Sequence, residues 1–568
     1  MTEKIEYDVV LVGAGPANMA LAYRLAQLAD KPVRIAVLDK AKEIGGHLLS
    51  GAVSNPRSIE KLFPDWKTGG FPHKGIVTES YLSVLGSRRW ENVPAMLTPP
   101  YFKKEGYAIL NISEVSAYIA AKTAEAAAAK PGVFVDFYPG FPAQEVVYEG
   151  ARVAGVKVDN TGDANADVLY GKVTVFGDKG FVSRDVMTKF NLRKNPQVWS
   201  VGVKEVWETQ QSFEGKVWHT FGYPMAAGHL GGGFVYGQKD NRLVIGMVMG
   251  LDFPNPNIRP PQVLQDLKKH PFMQEMLRGG KLIKYGASVL PEGGLYSMPE
   301  KFTVDGAMFV GDALGTLDVK RFSGVDKAME SGITAAEVIW EAYKKENFTA
   351  LGLGDYQVRL MNGWVGQELR DSRYFRRAFI DYPGLLEMFI PRVAAAVNSG
   401  KSVVYAGLQA GLADPFGSLG LLGARKMIEN PSDYGPAVYK EDRTHIAKNY
   451  TENREISTGF VESTVYTTAD VVFYAHTHYG EENKHIDEYS ATVCQKCIAE
   501  FDAAKKDTPC VGDCTAEVHQ TLAKDGSRVH AMALENCVQC TTCEIVCPKS
   551  NIRVRAALRG YGPDFSGM

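Results

Sequence analysis

The sequence predicts a mixed α/β protein of several domains, and three observations lead to this class. A strand–turn–helix–strand pattern opens the chain at residues 8–39. Apolar runs bounded by Gly and Pro fill residues 184–300, as is typical of strands. All eight cysteines lie between residues 494 and 547, which indicates a metal-binding C-terminal domain. Because a chain of 568 residues is too long to fold around a single hydrophobic core, we expect two to four domains.

Composition excludes several classes of protein. The chain is 45% hydrophobic and 23% charged, which is typical of globular proteins. A net charge of −2 gives no reason to expect a nucleic-acid partner. Cysteines confined to one short segment argue against a disulfide scaffold and favour a reducing compartment. No run of 18 apolar residues occurs, so no segment is expected to span a bilayer.

The first βαβ unit, residues 8–39, predicts a dinucleotide-binding site. Gly13 permits the tight turn after the first strand, and Gly15 lets the backbone approach a pyrophosphate at the helix N-terminus. Asp39 ends the second strand, where an acidic side chain accepts hydrogen bonds from ribose hydroxyls. Asn18 replaces the third glycine of the motif, so we expect looser helix–strand packing there. The alternative is a plain strand–turn–helix.

Two later stretches favour a flavin over a nicotinamide. The glycine pair Gly45–Gly46 follows the acidic strand end, where many flavoproteins place glycines near the pyrophosphate. Residues 307–310 form an apolar strand that runs into Gly311 and Asp312. This stretch resembles the second FAD motif of glutathione reductase-type flavoproteins, whose Asp meets the ribityl chain. An ordinary turn is the alternative for these two residues.

These motifs divide the chain. We expect a glutathione reductase-type FAD-binding Rossmann domain at residues 1–183 and 300–345, interrupted by a β-rich domain at 184–299. Within this insertion, Gly231–Gly233 lies among apolar residues and suits a flat hydrophobic ligand bound through backbone N–H groups. A hairpin with bulges explains the same glycines.

Residues 346–475 are predicted to be a helical, membrane-surface and linker region. Residues 381–423 mix short apolar runs with glycines and Lys401, which suits a membrane interface. A buried helical hairpin is an equal alternative. Residues 432–461 are polar and linker-like.

The last predicted domain, residues 476–568, is ferredoxin-like and iron–sulfur-binding. Its final cysteines follow the bacterial ferredoxin spacing C-x2-C-x2-C-x3-C-P, in which the fourth Cys ligates a different cluster. If each motif gives its fourth cysteine to the cluster of the other motif, the two clusters have crossed ligands. One cluster would then be held by Cys514, Cys537, Cys540 and Cys543, and the other by Cys494, Cys497, Cys510 and Cys547. Twelve residues separate Cys497 from Cys510 instead of two, so one cluster plus a four-thiolate zinc site is the rival reading.

Beyond these motifs, the chain resembles the electron transfer flavoprotein–ubiquinone oxidoreductase family from end to end. The matching stretches are Gly13–Ala17, Leu49–Ala52, Gly250–Pro256, Tyr285–Ala287, Asn536–Cys543 and Gly562–Met568. The resemblance implies transfer of electrons from reduced electron transfer flavoprotein to membrane quinone. With the motifs above, it leads us to expect FAD at Gly13, Gly15, Pro16, Ala17, Asp39, Lys40, Gly46, Gly51, Gly311 and Asp312.

The resemblance also implies a quinone site and a membrane surface. Quinone is expected at the backbone of Gly231 and Gly232. A monotopic membrane surface is expected near residues 223–236 and 385–423, on the cytoplasmic face of the inner (plasma) membrane.

The family has one 4Fe–4S cluster, whose fourth ligand corresponds to Cys514. The cysteines beyond that set are those assigned above to the second cluster, so we expect two clusters. Two competing functions remain: a soluble flavin and iron–sulfur reductase of the geranylgeranyl reductase-like class, and the quinone-facing subunit of an electron-bifurcating flavoprotein complex.

Overall fold

A computed structural model describes residues 4–49, 51–159, 167–225, 228–251, 259–373, 375–376, 389–413, 464–480, 484–503, 507–524 and 526–568. Several sequence predictions lie outside these ranges. They are Ser50, residues 252–256, residues 381–388 and 414–423 of the predicted membrane segment, and the linker 432–461. No helix within the described ranges is long and apolar enough to cross a lipid bilayer.

An eight-stranded sheet forms the centre of the first domain. Its strands are Lys4–Val12, Val33–Asp39, Val133–Pro139, Ala143–Glu149, Arg152–Val158, Asp167–Phe176, Thr303–Val304 and Ala307–Phe309. Lys4–Val12 pairs in parallel with both Val33–Asp39 and Asp167–Phe176, and its residues 9–12 are buried. Such burial explains the continuous apolar run of this strand. The predicted α/β class and Rossmann-type first domain are confirmed.

Helices cover this sheet. They are Pro16–Leu28, Arg57–Leu62, Ile112–Ala128, Ser183–Lys189, Gly311–Leu314 and Val325–Lys344. The helices that begin at Pro16 and Val325 approach closely, because a Cβ at Gly332 would lie 1.9 Å from the Ala17 carbonyl oxygen.

The expectation that Asn18 loosens the packing is wrong. Asn18 is 1% exposed, and its Nδ2 donates to the carbonyl oxygens of Val12 and Gly13 at 2.9 and 2.8 Å. Gly177 leaves room for the Asn18 side chain, because a Cβ at position 177 would lie only 2.7 Å from Asn18 Nδ2. The side chain therefore ties the helix to the strand end.

A seven-stranded sheet forms the second domain. In spatial order its strands are Lys281–Pro291, Trp199–Glu208, Arg242–Gly250, Gly231–Gly237, Lys216–Gly222, Glu79–Leu85 and Trp90–Asn92. The last two strands come from residues 79–92, which the sequence placed in the FAD-binding domain. Helices Pro260–Lys268 and Pro271–Leu277 belong to the same domain. A small sheet of Ala52–Ser54, His73–Ile76 and Ala108–Leu110 joins the two larger ones.

The helices after residue 345 fall into two groups. Ala350–Leu353, Asp355–Asn362 and Trp364–Ser372 pack on the core of the first domain. Ile390–Asn398 and Val403–Ala413 pack against Val84 and Val93, beside the edge strands of the second sheet.

The C-terminal domain contains two short antiparallel ladders, Ile486–Glu488 with Ile552–Val554 and His519–Lys524 with Ser527–Met532. Its helices are Thr468–Phe473, Ala491–Ala503, Pro509–Gly512 and Thr542–Val546. The C-terminal domain packs on the strand Lys281–Pro291, where Tyr285 Oη donates to the Thr515 carbonyl at 2.7 Å.

Short 3-10 helices lie at Pro100–Phe102 and Gly294–Ser297 in the first two domains and at Leu534–Asn536 in the C-terminal domain.

Candidate functional site

One cavity lies between the two large sheets and reaches the C-terminal domain. It encloses about 2850 Å³ of empty space, including its opening to solvent. Its lining contains all but one of the residues predicted to bind FAD or quinone: Gly13, Gly15, Pro16, Ala17, Asp39, Lys40, Gly51, Gly231, Gly232, Gly311 and Asp312. Cys540 lines it too. Gly46 does not; its carbonyl accepts a hydrogen bond from Phe565 N at 2.7 Å.

The turn after the first strand has the geometry that a pyrophosphate needs. Gly13 has φ +89°, a conformation that favours glycine, and its N–H donates to the Leu38 carbonyl at 2.9 Å. The helix begins at Pro16, and a Cβ at Gly15 would meet no atom within 4 Å. Open space over Gly15 at a helix N-terminus fits a bound phosphate group.

Asp39 holds this turn in place. Its Oδ2 accepts from Ala14 N at 2.8 Å and its Oδ1 accepts from Ala41 N at 2.7 Å. Burial raises the pKa of this carboxyl group, and the two N–H groups oppose that shift. An ionised carboxylate has further acceptor capacity, so it can still accept from a ribose hydroxyl.

The second motif closes the dinucleotide end of the cavity. Gly311 has φ +56°, and its N–H donates to Ser331 Oγ at 3.0 Å. Asp312 Oδ2 lies 3.7 Å from Lys179 Nζ. The carboxylate therefore lines the cavity beside a cation.

Lys40 connects the dinucleotide end to the cysteine loop. Its Nζ donates to the side-chain oxygen of Gln539, which lies between Cys537 and Cys540. Its Nζ also lies 4.7 Å from the centroid of the Phe181 ring. Burial lowers the pKa of Lys40 to about 8.

The strand Gly231–Gly237 leaves part of its backbone available. Gly250 N donates to the Leu230 carbonyl at 2.9 Å, so the alternation of an antiparallel ladder points the polar groups of Gly231 away from Arg242–Gly250. Within the described strands, the ladder on the other side ends at the pair Thr220–Gly233. A ligand oxygen can use this edge. The glycines also satisfy packing, since a Cβ at Gly232 would lie 2.6 Å from the Thr220 carbonyl.

The first group of cysteines lies beside the cavity. It consists of Cys514, Cys537, Cys540 and Cys543, of which Cys540 lines the cavity. Burial raises the pKa of the Cys543 thiol well above its usual value, and Cys540, Cys537 and Cys514 raise it further. Thr515 Oγ1 donates to Cys540 Sγ at 3.2 Å, and Val518 N donates to Cys514 Sγ at 3.2 Å.

The second group surrounds a separate cavity of about 330 Å³. Its lining includes Cys494, Cys497, Cys510 and Cys547, which are the four cysteines that the crossing rule set apart. Asn551 connects two of them: its backbone N donates to Cys547 Sγ and its Nδ2 to Cys494 Sγ, each at 3.2 Å.

The donor set fits a metal centre at both places. Burial raises the pKa of Cys510 to about 12, with Cys547, Cys497 and Cys494 adding to the shift. Thiols with such pKa values ionise at neutral pH only when a cation holds the thiolates. Four thiolates suit a 4Fe–4S cluster or a tetrahedral zinc ion.

Some residues at these sites were not identified from the sequence. Lys204 lines the large cavity, although alternation with Val201 and Val203 would place it on a solvated face. His530 lines the second cysteine cavity, with Nδ1 at 2.9 Å from Glu488 Oε2. A lone Lys in a strand and a lone His in a hairpin carry no motif, so sequence offered no signal for either.

Two family models match stretches that contribute to this cavity. The family model described as "ETF-QO, ubiquinone-binding" matches residues 199–290, and a model for an NAD(P)-binding Rossmann-like domain matches residues 11–69. Among solved structures, a geranylgeranyl bacteriochlorophyll reductase-like protein from Thermoplasma acidophilum has a TM-score of 0.53 at 17% identity, covering 74% of this chain and 100% of that one. This likeness shows a shared fold.

Three relatives named electron transfer flavoprotein-ubiquinone oxidoreductase carry the family assignment. The Pseudomonas aeruginosa protein is 30% identical over 598 residues, covering 100% of both chains. The mitochondrial human protein is 30% identical, covering 99% of this chain and 89% of its own. The mitochondrial Dictyostelium discoideum protein is 35% identical over 425 residues, covering 68% of each. The resemblance seen in the sequence is confirmed: the chain belongs to the electron transfer flavoprotein–ubiquinone oxidoreductase family.

Proposed function

We propose that this chain takes electrons from reduced electron transfer flavoprotein and passes them to a membrane quinone, with FAD and iron–sulfur clusters as carriers. One observation carries the proposal. A single cavity extends from the dinucleotide turn at Gly13 and Gly15 to the Gly231–Gly232 edge and to Cys540. The residues that we propose for the donor-side cluster, the flavin and the quinone therefore line one space.

The residues of this cavity have distinct tasks. The backbone at Gly13 and Gly15 would hold the pyrophosphate, and the polar edge at Gly231 would orient a quinone oxygen. FAD, when bound, exchanges electrons singly or in pairs, whereas a cluster moves one electron at a time. The contact between Lys40 and Gln539 joins the flavin side to the cysteine loop.

Purified, cofactor-loaded protein tests this function directly. Reduced electron transfer flavoprotein and a short-chain quinone should together give quinol, and omission of either should abolish it. NADH and NADPH in place of the flavoprotein serve as matched small-molecule donors. No quinol with the flavoprotein, together with flavin reduction by a small molecule, would overturn the proposal and favour a soluble reductase. A stable association with electron transfer flavoprotein subunits during purification would favour the larger complex.

We also propose that the two cysteine groups hold two 4Fe–4S clusters. The support is that the crossed-ligand assignment from the sequence and the grouping of thiols in space agree. About eight irons per chain are expected, falling to about four in Cys494→Ala, with loss of one EPR signal. About four irons with zinc bound, and an EPR signal unchanged by that substitution, would show a zinc site instead.

Electrons would then follow a short path. Cys540 lines the large cavity, and Cys510 of the second group contributes to the raised pKa of Cys543 in the first. The first group is therefore close to both the large cavity and the second group. We propose that electrons enter at either cluster and leave through the flavin.

The last part of the proposal is peripheral attachment to the cytoplasmic face of the inner (plasma) membrane. The helix Val403–Ala413 packs beside the edge strands at residues 79–92, and it exposes Tyr405 and Leu408, which are 51% and 65% exposed. Apolar side chains on one exposed helical face suit a monotopic contact with lipid.

A further inference from the structure

Lys204 lies on the floor of the large cavity. It belongs to the strand Trp199–Glu208, is 2% exposed, and lies between Gly246 and Gly286 on the neighbouring strands. A Cβ at Gly246 would lie 2.2 Å from Phe234, and one at Gly286 would lie 2.7 Å from Leu49. The lysine therefore occupies a slot between two glycines, with apolar walls.

Among the described residues, the side chain of Lys204 has no hydrogen-bond acceptor, and its Nζ is buried. Other buried lysines differ: Lys104 Nζ donates to the Arg321 carbonyl at 2.7 Å, and Lys268 Nζ pairs with Glu205 at 2.9 Å. An unpaired buried ammonium is strongly destabilised, so the charged form of Lys204 is favoured only when an acceptor enters the cavity.

Burial alone acts against the charge of Lys204. It lowers the pKa of the amine to about 7. A negative or strongly accepting group beside Nζ would restore the charged form.

The surroundings of Lys204 indicate which ligand supplies that acceptor. Leu49 forms one wall of the slot that holds the Lys204 side chain. The centroid of the Tyr236 ring lies 6.0 Å from Lys204 Nζ. Leu49, Gly51 and Tyr236 all line the large cavity. Residues 49–51 belong to a stretch that resembles the FAD-binding part of the family. Gly232 lies two strands away from Lys204 in the sheet and two residues along its strand, which places the Gly232 Cα at about 12 Å from the Lys204 Cα. The slot of Lys204 is therefore walled in part by the stretch that resembles the FAD-binding part of the family, and its backbone lies apart from Gly232.

We propose that Lys204 is the cation that faces the ring system of the bound flavin and stabilises its reduced, negatively charged form. Lys204 keeps its proton on Nζ and forms no covalent bond. Its positive charge favours the state in which electrons have arrived. The inference rests on FAD binding within the proposed function, but on neither the donor nor the quinone.

Redox titration of the purified, flavin-loaded protein tests the proposal. The reduced fraction of the flavin is followed by visible absorbance at fixed applied potentials, and EPR follows the clusters as an internal reference. In Lys204→Met, the ratio of reduced to oxidised flavin should fall at least about tenfold, equivalent to about 30 mV for a two-electron couple. Lys204→Arg should retain more of the wild-type ratio, because it keeps the charge. The cluster signals should titrate as in the wild type.

Lys104→Met is the matched control. Lys104 is also 2% exposed and lines the same cavity, but its Nζ already has a backbone acceptor. Its flavin ratio should stay within about twofold of the wild type. A Lys204→Met ratio within twofold, in protein that retains its FAD, would overturn the proposal. So would an equal fall in both variants, or a loss of quinone reduction with unchanged flavin titration. The titration contains no electron transfer flavoprotein and no quinone, so a wrong donor or acceptor would not affect its result.

Discussion

The ion pair between Lys268 and Glu205 supports the floor of the cavity from its opposite face. Lys268 Nζ lies 2.9 Å from a Glu205 carboxylate oxygen, and neither side chain is exposed. Glu205 also accepts from Trp207 Nε1 at 2.7 Å and from Gln265 Nε2 at 2.9 Å. This network ties the helix Pro260–Lys268 to the sheet that carries Lys204.

Substitution Lys268→Met should destabilise the protein strongly. Methionine nearly fills the space of the lysine, so the loss comes from the charge and not from a cavity. Glu205 would remain buried without a counter-charge, which costs about 3–5 kcal/mol. The contact of Nζ with the Trp207 ring, 5.1 Å from its centroid, would be lost as well. The double variant Glu205→Gln/Lys268→Met removes both charges and should recover most of the loss.

Urea unfolding of the FAD-loaded protein measures this effect. Tryptophan fluorescence suits the assay, since Trp207 belongs to the network. Lys157→Met is the control: its bond to Glu145 is 2.8 Å long, but the two side chains are 46% and 62% exposed, so less than about 1 kcal/mol should be lost. The reasoning fails if Lys268→Met loses no more than this control, or if the double variant loses as much as the single one.

Three further predictions concern the clusters, the membrane and pH. Asn551→Ala removes the hydrogen bond from Nδ2 to Cys494 Sγ. The reduction potential of the cluster bound by Cys494 should therefore fall by roughly 60 mV in an EPR-monitored titration, while that of the other cluster stays unchanged. Equal shifts of both potentials would contradict this prediction. Leu408→Glu should reduce sedimentation with lipid vesicles several-fold, whereas Val358→Glu, 55% exposed on the first domain, should not; equal effects would refute the membrane face. Burial lowers the pKa of His270 to about 4, below the unfolded value of about 6.5, so its protonation favours unfolding. Between pH 7 and pH 5, His270→Asn should therefore lose about 2 kcal/mol less stability than the wild type, and equal losses in urea unfolding would refute the assignment.

Local signals in the sequence predicted the elements that bind cofactors. The apolar strand before Gly13, the helix after Pro16 and the acid at Asp39 follow from chain geometry within one βαβ unit. The grouping of cysteines followed from spacing, because the last Cys of a ferredoxin run points to a different centre. In the structure Cys547 lies with the group of Cys494.

Non-local packing limited other predictions. Residues 79–92 read as part of the first domain, yet they join the second sheet through a parallel pairing with Lys216–Gly222. The effect of Asn18 depended on the absence of a side chain at Gly177, which lies far along the chain. No window of sequence contains both partners of such a contact.

The sequence by itself determined the family, through matching stretches along the whole chain, and the dinucleotide turn, through residues at short, fixed spacings. It also predicted the two sets of thiols from the crossing of ligands in ferredoxin motifs. Only the tertiary structure decided that Gly15, Gly231 and Cys540 line one cavity, and that Lys204 faces it without a partner among the described residues. The physical reason is that strand alternation tells which residues share a face but not what covers that face. From sequence alone, a polar residue on such a face is expected to contact solvent, whereas in the folded protein a second domain can cover it.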